Sequence, residues 1–180
     1  MTLTTSDFTS FERLQTAVDA AGVGTWDYDL VANTLEWSPR CKELFGVPAD
    51  TAVTYADFVE LVHPDDRAAT VAAVELAFDP NGSGSYDIEY RTRWQLAGQP
   101  VLWARATGRA FFDQARTKAY RFIGTISDVT PMRQMQEQLT RSYQDLEVKV
   151  TFRNLELERE VQQLRAKLAA LASAGLEASK

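Results

Sequence analysis

The side chains able to do chemistry are few and scattered. There is one histidine, His63, and one cysteine, Cys41. A single cysteine cannot close an internal disulfide or build a zinc site from thiolates, and a single histidine excludes multi-histidine metal centres. Asp65 and Asp66 are adjacent carboxylates, a pairing that could serve acid–base work. They follow Pro64 at the start of a helical pattern, where acids complement the positive end of the helix dipole. No nucleophile elbow, P-loop, HExxH or kinase motif occurs. The sequence thus predicts no catalytic residue and no metal ligand. What remains is a set of side chains able to line a cavity. Trp26, Trp37, Tyr90 and Trp103 are the candidates for its walls, with Arg105 and Thr125 offering polar contacts to a small ligand.

The elements that must position these residues can be read from the pattern. The chain has 180 residues, 45% hydrophobic and 24% charged, the composition of a folded protein. No apolar run is long enough to span a membrane, and the polar N-terminus does not read as a signal peptide. The net charge of −6 argues against nucleic-acid binding, and the cytoplasm is the expected compartment. Glycine and proline divide the chain: of 9 Gly and 6 Pro, only Gly175 and Pro131 lie beyond residue 130. Residues 131–180 carry 8 Lys/Arg and 7 Asp/Glu, so the acidic balance belongs to the front part.

In the front part, Phe8, Phe11, Leu14, Val18 and Ala21 mark an amphipathic helix ended by Gly22. Trp26, Tyr28 and Leu30 alternate with Thr25, Asp27 and Asp29 as in a half-buried strand, and Leu35–Trp37 returns as its hairpin partner. Ser38 and Pro39 open a short helix that stops at Gly46, and Thr54 opens another to about Val62. A helix from Pro64 to about Phe78 follows, with Val71, Val74, Leu76 and Phe78 as its apolar residues. Three alternating strands follow, over 85–94, 101–112 and 119–129. The predicted fold class is α+β: a five-stranded antiparallel sheet with helices on one face.

These residues resemble a known family. Gly24-Thr25-Trp26-Asp27-Tyr28-Asp29-Leu30, Leu35-Glu36-Trp37-Ser38-Pro39, Leu44-Phe45-Gly46 and His63-Pro64-Asp65-Asp66-Arg67 together look like a PAS sensor domain of the His-Pro-Asp-Asp subclass. The resemblance continues through Glu89-Tyr90-Arg91, Trp103 and the PAC-type ending Gly124-Thr125-Ile126-Ser127-Asp128-Val129-Thr130. It covers roughly residues 8–130. It implies a PAS fold and a sensing and dimerising role in bacterial signalling, with a ligand that family membership does not specify. It also implies that Asp128, Val129, Thr130 and Pro131 form a signal-transfer junction, with Thr130 capping the helix that Pro131 enters. Heme-binding members take their histidine from the helix after His-Pro-Asp-Asp, and none lies between Asp65 and Phe78. Flavin photosensors carry a Gly-x-Asn-Cys-Arg-Phe-Leu string, which is absent, and Cys41 reads as an inert small residue. Neither heme nor flavin is expected, and no cofactor is assigned.

From Pro131 to about Ala172 nothing breaks a helix, about 42 residues or roughly 63 Å. Its apolar stripe runs Met132, Met135, Leu139, Tyr143, Leu146, Val150, then Arg153, Leu157, Val161, Leu164, Leu168 and Leu171, at spacings of three and four. That is the heptad signature of a coiled coil, with Met135 to Leu171 as the dimer seam. Consecutive spacings of four around Leu139 and Leu157 are stutters that locally unwind a supercoil. The reading is a homodimer with a parallel coil, divided into a cap helix (1–21), a sensor domain (22–130), a signalling helix (131–172) and a frayed tail (173–180). A small-molecule ligand of unassigned chemistry and a downstream effector domain or protein are the other partners; nucleic acid and membrane are not. The alternative is a ligand-free interaction scaffold.

Overall fold

The computed structural model describes residues 9–96, 98 and 100–177, with the backbone alone for residues 11 and 169–177. The chain separates into two units, residues 1–131 and 132–180.

In the first unit, helix α1 (Ser10–Ala20) starts from a capping box. The Thr9 hydroxyl accepts from the Glu12 N–H, and the Glu12 carboxylate accepts from the Thr9 N–H. Strands β1 (Gly24–Asp29) and β2 (Thr34–Trp37) form the expected hairpin. Asp29 holds its turn by accepting from the N–H groups of Val31 and Ala32 at 2.9 and 2.8 Å. Helix α2 (Pro39–Phe45) is capped by the Ser38 hydroxyl and ends at Gly46. Helix α3 (Tyr55–Leu61) begins with a Thr54–Asp57 capping box. Helix α4 (Pro64–Phe78) begins at His63, whose Nδ1 accepts from the Asp65 N–H at 3.3 Å. Strands β3 (Ser85–Thr92), β4 (Leu102–Phe112) and β5 (Ala119–Asp128) complete an antiparallel sheet of order β2-β1-β5-β4-β3. The chain therefore has the PAS fold that the residues resembled.

The inward face of the sheet meets α2, α3 and α4. Gly24 is required by this packing, because a β-carbon there would lie 2.6 Å from the backbone of Cys41 on α2. Of the apolar residues of α4, Leu76 is 69% exposed, and the helix buries Thr70, Val74 and Ala77. Thr70 can be buried because its hydroxyl donates to the Asp66 carbonyl at 2.9 Å. The third strand stops at Thr92 rather than Trp94, where Arg93 turns into a left-handed conformation with φ 59°.

In the second unit, α5 (Thr130–Glu177) is one uninterrupted helix. It continues past residue 172, so 173–177 are helical rather than a tail, and Gly175 does not end it; 178–180 lie outside the described residues. No helix among the described residues is long and apolar enough to cross a membrane.

Candidate ligand cavity and signal-transfer junction

Between the sheet and its helical layer lies a cavity of about 40 Å³. Its walls are Trp26 and Tyr28 from β1, Leu35 and Trp37 from β2, Cys41 and Phe45 from α2, Tyr55 and Phe58 from α3, Val74 from α4, Tyr86 and Tyr90 from β3, Ala106 from β4 and Phe122 from β5. The rings support one another. Trp37 stacks on Phe45 with centroids 4.4 Å apart, and Tyr28 stacks on Tyr55 at 5.6 Å and 7°. No charged side chain reaches this lining. Burial pushes the phenols of Tyr86 and Tyr90 and the thiol of Cys41 upward, so all three stay neutral. The Cys41 thiol, 0% exposed, is not a ready nucleophile. The Tyr86 hydroxyl is buried with no hydrogen-bond partner among the described residues. The cavity suits a very small neutral guest or a few waters, since a water needs about 10–15 Å³ of such space. It is far below the roughly 300 Å³ at which ligand pockets begin.

Trp26, Trp37 and Tyr90 line this cavity; Trp103, Arg105 and Thr125 do not. Strand alternation is the reason. On β4 the inward residues are Leu102, Ala104 and Ala106, which turns Trp103 and Arg105 to the opposite face of the sheet. There the Arg91 guanidinium lies 5.4 Å from the Trp103 ring centroid. Arg105 pairs with Asp87 through bonds of 2.8 and 2.6 Å. The Thr125 hydroxyl meets that of Thr107 at 3.0 Å, while its carbonyl accepts from the Trp26 indole N–H at 3.2 Å. The sequence reading left out the helical side of the cavity, although Phe45, Tyr55 and Phe58 on short helices were the available signal.

The junction is compact. Only Val129 separates β5 from α5, and its N–H donates to the Trp103 carbonyl at 2.9 Å. Asp128 Oδ1 accepts from the Thr130 N–H at 2.8 Å. The Thr130 hydroxyl accepts from the Trp103 N–H at 2.8 Å, so it fastens the start of α5 to β4.

Along α5, Met132, Met135, Leu139, Tyr143, Leu146, Val150, Leu157, Val161, Leu164 and Leu168 are between 41 and 71% exposed in the single chain. The side chain of Leu171 lies outside the described part. Arg153, at a stutter, pairs instead with Glu156 at 3.3 Å. Val148, Phe152 and Leu155 are also exposed and lie off the stripe. No cluster of three or more metal-ligating side chains occurs among the described residues.

Comparison with known proteins agrees with this geometry. A family profile described as PAS fold matches residues 34–126. The chain belongs to the PAS-fold family. Among its relatives, the sensor protein FixL of Bradyrhizobium diazoefficiens is 30% identical over 126 residues, covering 69% of this chain and 24% of FixL. A blue-light-activated histidine kinase of Brucella anthropi is 28% identical over 67% of this chain and 23% of the kinase. The chain thus spans about a quarter or less of these relatives. A solved PAS-type structure, the sensory box histidine kinase/response regulator from Burkholderia thailandensis, is 31% identical with a TM-score of 0.60, covering 76% of this chain and 98% of that one.

Proposed function

We propose that the chain is a cytoplasmic sensory and dimerisation module of bacterial signal transduction. In this reading, a ligand- or partner-induced change in the PAS domain passes through Asp128–Pro131 into a parallel coiled coil formed with a second copy. The supporting observation is the solvent-facing stripe on α5 at heptad spacing, one residue after the sheet ends. A helix this long with an uncovered apolar stripe needs a partner. A second copy supplies an identical stripe, and a parallel pairing sets both sensor domains at one end. The chain itself carries no catalytic step, and the output belongs to an effector domain or partner protein.

A second reading is a ligand-free scaffold that only assembles partners. The smallness of the cavity favours it. Native mass spectrometry separates the two, because a retained guest adds mass to each chain.

The coil is tested by light scattering and crosslinking of the full chain. The expected particle has twice the 20.2 kDa chain mass. Leu164→Cys should form a covalent dimer on oxidation, because identical positions meet only in a parallel, in-register pair. Cys41, fully buried, does not compete. A 20.2 kDa particle ends the dimer reading, and a dimer that does not crosslink ends the parallel one.

A further inference from the structure

The acids of the His-Pro-Asp-Asp string do not act on the cavity. They close on Arg91. Asp66 Oδ2 accepts from both the backbone N–H and Nε of Arg91, each at 2.9 Å. Asp66 Oδ1 accepts from Nη2 at 2.8 Å, and Asp65 Oδ2 accepts from the same nitrogen at 3.1 Å. The His63 N–H donates to the Arg91 carbonyl at 2.9 Å. The first turn of α4 thus grips both the backbone and the guanidinium of one residue on β3. That residue stands in register with Trp103 on β4, and its guanidinium lies over the Trp103 ring. The Trp103 backbone in turn holds the first residue of α5 and the one before it, donating to the Thr130 hydroxyl and accepting from the Val129 N–H.

We infer that Arg91 is the positioning residue that couples the start of α4 to the first residue of α5. This rests on the proposed relay and gives it a route. Within α4, Val74 lines the cavity and Thr70 bonds back to the Asp66 carbonyl. A shift of α4 driven from the cavity therefore reaches Asp66, then Arg91, then Trp103 and Thr130. The route crosses β3 and β4 on the sheet face turned away from the cavity, rather than running along β5 into the helix that follows it.

The Arg105–Asp87 pair supplies an internal control. It is also a two-pronged arginine–carboxylate pair between β3 and β4, at 2.6 and 2.8 Å. It is about half exposed on both sides, whereas Arg91 and Asp66 are 26 and 18% exposed. It joins neighbouring strands and does not grip α4.

The test is hydrogen–deuterium exchange on the full chain for wild type, Arg91→Gln, Arg91→Lys and Arg105→Gln, read over residues 128–136. Arg91→Gln should speed exchange there about fivefold, equivalent to about 1 kcal/mol of local opening, while Arg105→Gln leaves it unchanged. If Arg91→Gln loses protection throughout the sheet, Arg91→Lys decides. It keeps the charge beside Asp66 but loses the planar fork, and should loosen the same segment selectively. Unchanged exchange in both Arg91 variants, or an equal increase in Arg105→Gln, overturns the inference. Light scattering on the same samples keeps the two questions apart: a dimer with an unmoved junction sinks the Arg91 route alone, and a monomeric wild type sinks the relay.

Discussion

The indole of Trp26 rests directly on Gly124 of the neighbouring strand, to which it is paired in register. A β-carbon at Gly124 would run into the six-membered ring of Trp26 and the Thr107 carbonyl. The indole N–H is meanwhile tied to the carbonyl of the next residue, Thr125, at 3.2 Å. The tryptophan that forms one wall of the cavity is therefore held flat by the absence of a side chain beneath it. Gly124→Ala should destabilise the fold by about 1–3 kcal/mol through overpacking, read as a lower urea midpoint with unchanged slope. A neutral substitution would show that the indole has room to lift.

The Thr130 hydroxyl accepts a bond from strand β4, so replacing it strands the Trp103 N–H. Thr130→Val should cost about 1 kcal/mol or more, and Thr130→Ser should recover most of it. Denaturant titration of the three proteins checks this. Equal stability of the Val and Ser variants would show that the Trp103 N–H finds another acceptor.

Tyr86 offers a direct probe of occupancy. Its buried hydroxyl has no partner among the described residues, so Tyr86→Phe should be neutral or stabilising by up to about 1 kcal/mol. A clear loss of stability instead would reveal a bound guest or ordered water that the hydroxyl serves.

The Asp66 carboxyl is held below the usual carboxylate range, mainly by its hydrogen bond from the Arg91 side chain. Its folded value lies under its unfolded one, so its contribution is present above about pH 4 and is lost as pH falls through the folded value. Asp66→Asn should therefore be less stable at neutral pH and lose less on acidification below pH 4. Urea midpoints measured across that range test it. An acid limb as steep as in wild type would assign the loss to other carboxylates.

The five strands, the caps at Ser38 and Thr54 and the long last helix were legible because each rests on local pattern, whereas the pairing of β1 with β5 was not. Alternation, capping residues and a run with no helix breaker need no tertiary information. The cavity was legible only in part. Trp26, Trp37 and Tyr90 stand out as large residues on alternating strands. Trp103 misled for the same reason: size suggested the core, but the inward residues of β4 are Leu102, Ala104 and Ala106. Only the register with β3, which pairs Trp103 with Arg91, shows which face it takes. The role of Thr130 was hidden similarly, since its bond partner lies 27 residues away.

The cavity walls are unequal in firmness. The sheet side is pinned by ladders of hydrogen bonds and by Trp26 on its glycine floor. α3, by contrast, is seven residues long and has no buried residue, although Tyr55 and Phe58 lean into the space. Any visitor bulkier than the present void must push those two rings aside before it moves the sheet. α3 is thus the least firmly seated wall of the void, and room for anything larger is made most cheaply there.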